Sequence, residues 1–353
     1  MRPEQNQPPV RIILALVLFL FAPLVSAQTN PHLNDIDRVR LAEAFRIGDA
    51  LGNRVWPGWN KAPFAVLLVT PNYEFLIRHP KPSPDFILIN HDTLLGSDVY
   101  YRKRTQAPGL LATFPVGGIP TIVVGQAENT AAKTSTPWVV TVLHEHLHQL
   151  QYSQPGYYDE VNALGLTRGD KTGMWMLNYP FPYDWHELQL LFSQVGRSLA
   201  EALEAQPGSD FSIGLATYLE QRRELELTLS PDDYRYVSFQ MWQEGIARYT
   251  EYRLASLAAT RYKPTKAFRT LSDYRQFGEL AETIKGGILS ELTTVNLESS
   301  KRVIFYALGA GEALLLDRSN SRWRQRYLVD KFYLDRYFDL DKYFKSPRVR
   351  QRS

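Results

Sequence analysis

The chain has 353 residues, with 40 lysines and arginines against 37 aspartates and glutamates, and it contains no cysteine. A net charge of only +3 gives no support for a nucleic-acid partner, and the lack of cysteine excludes disulfides and thiolate ligands, so that any metal must be held by histidine and carboxylate. The length suffices for a sizeable core, in one large domain or two closely packed ones.

The first 27 residues have the pattern of a secretory signal peptide. Arg2 and Arg11 precede an apolar run over residues 12–25, and small residues follow at Ser26 and Ala27. We predict cleavage after Ala27 and a secreted or periplasmic protein. The alternative is a segment retained as a membrane anchor, but the run is shorter than the roughly 20 residues that a spanning helix needs. No later stretch is apolar enough to span a membrane.

The mature chain begins with a helical pattern and continues with short strands. The spacing of apolar residues predicts a helix over 34–51, capped by Asn34 or Asp35. Apolar runs separated by proline and glycine then predict strands over 64–70, 73–78, 85–90, 99–101, 110–114 and 121–124. Their short connections favour antiparallel neighbours. The pair Gly117-Gly118 indicates a turn, or else a backbone that a substrate approaches closely.

Helical periodicity dominates the rest of the chain. A helix should begin with Thr136 as its cap and Pro137 at its first position, and run to about Ser153. Further helices are predicted over 185–204, 211–227, 231–260, 273–284 and 296–317, with a broken stretch from 321 onward. The expected fold class is α+β, a small mostly antiparallel sheet (28–136) followed by a larger helical part (137–353); residues 28–353 could also form one compact domain.

The helix over 137–153 carries His144-Glu145-His146-Leu147-His148, an H-E-x-x-H pattern. Histidines four residues apart lie on one helical face, with a carboxylate one step round from the first, which is the arrangement that binds zinc and activates a water molecule. His146 points away from that face and is expected to be a structural or surface histidine and not a ligand. The metzincin pattern does not fit, because Gln151 and Gln154 stand where it requires glycine and histidine.

A catalytic zinc usually has three protein ligands, so another element must supply one more. The best candidate is Glu244, because its apolar neighbours indicate a packed helix in which a carboxylate needs a partner. Four rivals remain open: Glu160, Asp170, His186 and Glu187.

The H-E-x-x-H helix and the downstream W-x-E-G-x-A-R-Y segment around Glu244 together resemble the gluzincin branch of the zincin metallopeptidases. The resemblance implies that His144, His148 and Glu244 bind Zn2+ and that Glu145 is the general base acting on the zinc-bound water, in an enzyme that hydrolyses a peptide or protein substrate. The 96 residues between His148 and Glu244 (244 − 148 = 96) imply one or two inserted helices.

Supporting residues can also be predicted. Glu251, two turns beyond Glu244, is placed to accept a hydrogen bond from a metal-bound histidine, or else to pair with Arg248. Tyr249, His186 or Arg248 could stabilise the oxyanion of the transition state.

Two non-enzymatic functions stay open beside the peptidase. One is an envelope protein that uses a metallopeptidase-like scaffold for binding or assembly, and the other is a metal-storage or structural site. Glu145 favours the enzyme, because it contributes nothing to holding the ion. Acidic residues offset the arginines beyond Arg318, which favours a docked helix there over a nucleic-acid surface.

Overall fold

The structure, a computed structural model, describes residues 31–338, and the predicted signal peptide of residues 1–27 lies outside this range. The first described element is helix α1, Asp35–Val55. The side chain of Asn34 accepts a hydrogen bond from the backbone N–H of Ile36 and so caps the helix, as predicted. Helix α1 continues beyond the predicted end and includes Gly52. A side chain at this position would collide with the indole of Trp59, so only glycine allows the two segments to pack here.

Six strands follow, all within two or three residues of their predicted positions. They are β1 (Val66–Val69), β2 (Tyr73–Ile77), β3 (Ile87–Asp92), β4 (Ser97–Lys103), β5 (Leu111–Val116) and β6 (Ile119–Gly125). They form one sheet in the order β3-β4-β2-β1-β6-β5, in which β1 and β6 are parallel and every other pair is antiparallel. Gly117 and Gly118 have positive φ values and form the turn between β5 and β6.

The two faces of the sheet have different neighbours. On β1, Val66 and Leu68 join the main hydrophobic core, whereas Leu67 and Val69 join a small separate cluster. This alternation is what a strand with both faces covered requires. The main core extends from Leu33 to Phe338, and therefore includes residues from the sheet and from the helical part.

Helix α2, Ser135–Tyr152, lies against β5 and β6 on one side and against α1 on the other. The predicted cap at Thr136 is wrong. The helix begins at Ser135, two residues before the predicted first position Pro137, and the carboxylate of Asp273 accepts hydrogen bonds from the backbone N–H and the hydroxyl of Ser135, at 2.9 and 2.6 Å. A distant carboxylate therefore satisfies the free donors at this helix start.

Within residues 31–338, ten further α-helices form the larger part of the fold. They are α3 (Tyr157–Ala163), α4 (Trp175–Asn178), α5 (His186–Glu204), α6 (Ser209–Thr228), α7 (Pro231–Gln240), α8 (Ile246–Arg261), α9 (Lys266–Arg269), α10 (Phe277–Thr293), α11 (Leu297–Ser300) and α12 (Ile304–Ser319). The predicted helix over 273–284 starts four residues late, because Asp273 is engaged at the start of α2. The predicted helix over 296–317 is divided at Lys301, whose φ is positive.

The predicted fold class, α+β with the H-E-x-x-H helix at the join, is confirmed. Helix α2 contacts the sheet through β5 and β6 and the helical part through α8. Within residues 31–338, no helix combines the length and the apolar composition needed to cross a bilayer.

A buried charged cluster joins α6, α12 and the last described turn. Glu312 is fully buried, and its carboxylate accepts a hydrogen bond from Tyr218 at 2.9 Å and lies 3.6 Å from the guanidinium of Arg222. Asp335 faces the same guanidinium at 3.9 Å. Burial is the main cause that raises the pKa of Glu312 to about 7, and the charge of Arg222 offsets it only in part.

This cluster predicts a pH-dependent stability. The pKa of a glutamate carboxyl group is ordinarily 4.5, and that of Glu312 in the folded protein is about 7. Between these two pH values the folded protein holds a proton on Glu312 that the unfolded chain has lost. The free energy of unfolding should therefore fall with rising pH in this window, by about 1.4 kcal/mol per unit from this group. Urea unfolding of the wild type and of Glu312→Gln at pH 5, 6, 7 and 8 measures the difference. Parallel pH profiles for the two proteins would contradict the prediction.

Candidate metal centre

Two histidines of α2 point the same ring nitrogen at one place. The Nε2 atoms of His144 and His148 are 3.2 Å apart, and both side chains are largely buried. Residues four apart on a helix lie one above the other, so the H-E-x-x-H spacing produces this convergence directly.

The third group comes from a widened turn between α7 and α8. Residues Met241–Gly245 form a π-helical turn that continues α7 into α8 without a break. Glu244 lies in this turn, and its Oε2 atom is 3.8 Å from His144 Nε2 and 3.5 Å from His148 Nε2. Turns of this kind are rare inside helices and occur frequently at functional sites.

A backbone contact holds the π turn against α12. A Cβ atom placed on Gly245 would come within 2.5 Å of the Cα atom of Gly309, and one on Gly309 within 2.4 Å of the carbonyl oxygen of Met241. The two helices therefore touch through their main chains, which places the backbone that carries Glu244.

The spacing of the three groups fits a metal ion. Zinc bonds of about 2.1 Å at tetrahedral angles place ligand atoms about 3.4 Å apart. The observed separations of 3.2, 3.5 and 3.8 Å lie within a few tenths of an ångström of that value. Among the described residues, His144, His148 and Glu244 form a group that could hold a metal ion.

Both histidines are oriented through their other ring nitrogen. His144 Nδ1 lies 2.6 Å from Oε1 of Glu251, and His148 Nδ1 lies 2.7 Å from Oε1 of Gln151. Because these oxygens can only accept, each Nδ1 carries the hydrogen and donates it. When such a histidine is neutral, its lone pair is on Nε2, where a metal would be bound.

Gln151 also connects the two helices that carry the candidate ligands. Its amide nitrogen donates to the backbone oxygen of Gln243 at 3.1 Å and to the hydroxyl of Tyr327 at 2.6 Å. The amide oxygen of Gln151 therefore binds His148, and its amide nitrogen binds Gln243, the residue before Glu244. In the sequence, Gln151 is noticeable only because it stands where the metzincin pattern requires glycine. The signal that could have revealed its role is its place one turn after His148 on the same face.

Glu145 is held on the sheet side of α2. The hydroxyl of Thr113, on strand β5, donates to Oε2 of Glu145 at 2.7 Å. Burial lowers the pKa of His144 and of His148, and the negative charge of Glu145 is among the causes that raise it, after the larger effect of Glu244. Thr113 was not identified from the sequence, because nothing in a strand pattern indicates which residue will meet a helix 32 positions later.

The charges of the group reinforce one another. Burial disfavours protonated His144, but hydrogen bonds with Glu244 and Glu251 raise its pKa well above the ordinary value. Burial likewise opposes ionised Glu244, yet the charge of His148 and the hydrogen bond with His144 hold the pKa of Glu244 well below its usual range. The three side chains therefore form a mutually stabilised ionic group.

His146 has a different environment. Its ring stacks on Phe64 with 3.9 Å between centroids and meets Trp59 edge to face, and burial lowers its pKa to about 4. Its Nδ1 hydrogen-bonds Gln149, whose amide nitrogen donates to backbone oxygens of Ala65 and Pro120. His146 and Gln149 thus connect α2 to the segments around β1 and β6.

The rival ligands lie elsewhere. Glu160 pairs with Lys331, and Asp170 accepts hydrogen bonds from Thr172 and Trp175. His186 and Glu187 are exposed at the start of α5. The chain between His148 and Glu244 contains the long helices α5 and α6 and the short helices α3 and α4, beside α7, which leads into the π turn.

Two of the three candidates for oxyanion stabilisation are already engaged. The hydroxyl of Tyr249 donates to Asp317 and accepts from Arg324, both at 2.7 Å, and Arg248 forms a two-point ion pair with Glu291. His186 is exposed, as described above.

Tyr306, in the first turn of α12, faces the group instead, with Arg302 behind it in the 3-10 turn Lys301–Val303. Burial and the neighbouring Glu244 carboxylate raise the pKa of Tyr306, and the guanidinium of Arg302 donates a hydrogen bond to the Tyr306 hydroxyl. Both side chains are half-buried. Neither residue could be selected from the sequence, because their segment carries no motif.

Comparison of the chain with protein-family models, with curated proteins and with solved structures gives no match. The likeness to gluzincins therefore remains a resemblance of the two motif helices. The established feature is a His-His-Glu group on two packed helical segments that could hold a metal ion.

Proposed function

We propose that this protein is a secreted or periplasmic zinc-dependent metallopeptidase of the gluzincin type. The observation that carries the proposal is the convergence of His144 Nε2, His148 Nε2 and Glu244 Oε2 within 3.8 Å of one another, at tetrahedral spacing. This donor set of two imidazoles and one carboxylate is the set found in catalytic zinc sites that keep a position open.

Each residue has a distinct task in this proposal. His144, His148 and Glu244 would hold the ion, while Glu251 and Gln151 keep the two imidazoles in the binding orientation. A bound zinc ion supplies Lewis-acid polarisation of a carbonyl group and makes a water molecule more acidic. Glu145 accepts a proton from the attacking water and delivers it to the leaving amine. Thr113 holds the Glu145 carboxylate in place for both transfers.

The position of β5 supports a peptide substrate. This strand forms one edge of the sheet, so its outer main-chain groups have no strand partner among the described residues. An extended peptide can pair with such an edge. Thr113 lies on the same strand, so a peptide bound there would pass beside Glu145. This arrangement also favours an enzyme over a binding or storage protein, because storage would not require an oriented Glu145.

Zinc removal tests the proposal. Dialysis of the mature protein against a chelator should abolish hydrolysis of a fluorogenic peptide, and one equivalent of zinc should restore it. Zinc at about 100 times its dissociation constant should stabilise the folded protein by about 2.7 kcal/mol, measured by thermal unfolding. Unchanged peptidase activity in protein shown by elemental analysis to be metal-free would contradict the proposal, as would zinc-loaded protein that hydrolyses no peptide from a diverse library.

A further inference from the structure

The Arg302 guanidinium lacks the counterion that comparable arginines have. It is half-buried, yet among residues 31–338 no carboxylate oxygen lies within the 4.0 Å of an ion pair. By contrast, Arg40, Arg102 and Arg248, which are similarly enclosed, each pair with an acidic residue. Burial lowers the pKa of Arg302, but Tyr306 and the more distant charge of Glu244 more than offset this effect. Neither of them provides a two-point ion pair, so a carboxylate from outside the chain can still bind the guanidinium.

The fold places this guanidinium beside the proposed metal centre. Tyr306 and Gly309, three residues apart, lie on one face of α12, and Arg302 lies in the 3-10 turn Lys301–Val303 that leads into this helix. Gly309 touches Gly245, the residue after Glu244. One turn back along that face, Tyr306 approaches the Glu244 carboxylate, and one further turn back Arg302 donates to the Tyr306 hydroxyl.

There is also space next to Arg302. A cavity of about 350 Å³ is lined by Val303 and Ile304, which directly follow Arg302, and by Arg248, one turn beyond Glu244. The remaining lining is polar and consists of Glu291, which is paired with Arg248, and of Thr294, Ser299 and Ser300. The cavity therefore lies directly beside the segment that carries Arg302 and beside the first turn of α8.

We propose that Arg302 binds a carboxylate on the substrate residue that follows the scissile bond. A guanidinium recognises a carboxylate through two parallel hydrogen bonds, and one of its edges already rests on Tyr306. The carboxylate belongs to the C-terminus of the substrate, as in a carboxypeptidase, or to an aspartate or glutamate side chain at that position. The inference rests on the proposed peptidase function and specifies its substrate class.

Three peptides separate the two sources of the carboxylate. The first is a tetrapeptide with a free C-terminal acid and an uncharged last residue, the second is the same peptide amidated, and the third is amidated with aspartate in the last position. The wild type should cleave the first or the third with kcat/KM about tenfold or more above the second. Preference for the first assigns a C-terminal carboxylate, and preference for the third assigns an acidic side chain. Equal cleavage of all three overturns the proposal but leaves the peptidase function intact.

Variants of Arg302 test the residue itself. Arg302→Gln should lower kcat/KM for the preferred peptide about 10- to 100-fold, mainly through KM, and so remove the preference for that peptide over the uncharged amide. Arg302→Lys should recover part of the loss, because it keeps the charge but not the fork of donors. Arg223→Gln, an exposed arginine on α6, is the matched control and should behave as the wild type. If Arg302→Gln still prefers the carboxylate-bearing peptide to the uncharged amide as strongly as the wild type does, the proposal is overturned.

A binding measurement makes the inference independent of turnover. Calorimetric titration of the three peptides into Glu145→Gln, alone and combined with Arg302→Gln, should show the same preference and the same loss of affinity. If the wild type hydrolyses no peptide, the proposed function fails, and the titration still decides on Arg302. Equal affinities with and without Arg302 overturn the carboxylate assignment.

Discussion

Glu145→Gln should lower kcat for peptide hydrolysis about 10²- to 10⁴-fold while the protein keeps one zinc ion per chain. The amide has the shape of the carboxylate, and its oxygen can still accept the hydrogen bond from Thr113, so the fold around it is preserved. The amide cannot accept a proton from water at neutral pH. Loss of activity with retained metal separates the general base from the ligands. The readouts are steady-state kinetics and elemental analysis of the same preparation.

Glu187→Gln provides the matched control for this experiment. Glu187 was a rival candidate from the sequence, and it is exposed at the start of α5, so its substitution should change neither kcat nor metal content. A Glu145→Gln protein with wild-type kcat would show that another group takes the proton, and the proposed task of Glu145 would be wrong. A variant without zinc would instead place Glu145 among the ligands.

Glu244→Ala should lose the metal and, with it, all peptidase activity. The substitution removes one of three candidate ligands and leaves two imidazoles. Loss of an outer partner of a ligand typically weakens metal affinity about 10- to 100-fold, so loss of a ligand should cost more than about 100-fold. Zinc content after dialysis against a metal buffer, and the zinc-dependent rise in melting temperature, should both fall to the level of the chelated wild type.

Two further variants keep this result interpretable. Glu244→Gln preserves the shape of the side chain in the π turn but replaces an anionic ligand with a weak neutral one, so it should lose zinc even if the alanine variant unfolds. Glu160→Ala removes another rival carboxylate, one that pairs with Lys331, and should retain full occupancy. Full zinc occupancy in folded Glu244→Ala would exclude Glu244 as the third ligand.

Much of the architecture could be predicted because local rules determine it. Runs of β-branched and aromatic residues bounded by proline and glycine identified all six strands, and Asn34 marked the start of α1. The start of α2 was misplaced because its cap, Asp273, is 138 residues away in the chain. A helix boundary that depends on a tertiary contact leaves no local signal.

The same distinction applies to the candidate site. The spacing of His144 and His148 on one helix is a local property, and Glu244 could be selected because a carboxylate among apolar residues needs a partner. Gln151, Thr113, Tyr306 and Arg302 could not be selected, since each acquires its function only when separate elements pack together. The π turn was also missed, because the apolar pattern over 231–260 is compatible with an ordinary α-helix.

The π turn has a consequence for how this protein tolerates change. Each residue of an α-helix advances the side chains by about 100°, so an insertion or deletion rotates everything beyond it. Glu244 lies in the wide turn and approaches both histidines, whereas Glu251 lies seven residues later and contacts His144 from another side. Loss of one residue from Met241–Gly245 would change the angular phase between these two carboxylates and their partners. Length variation is therefore forbidden in this turn, even where a change of side chain is harmless.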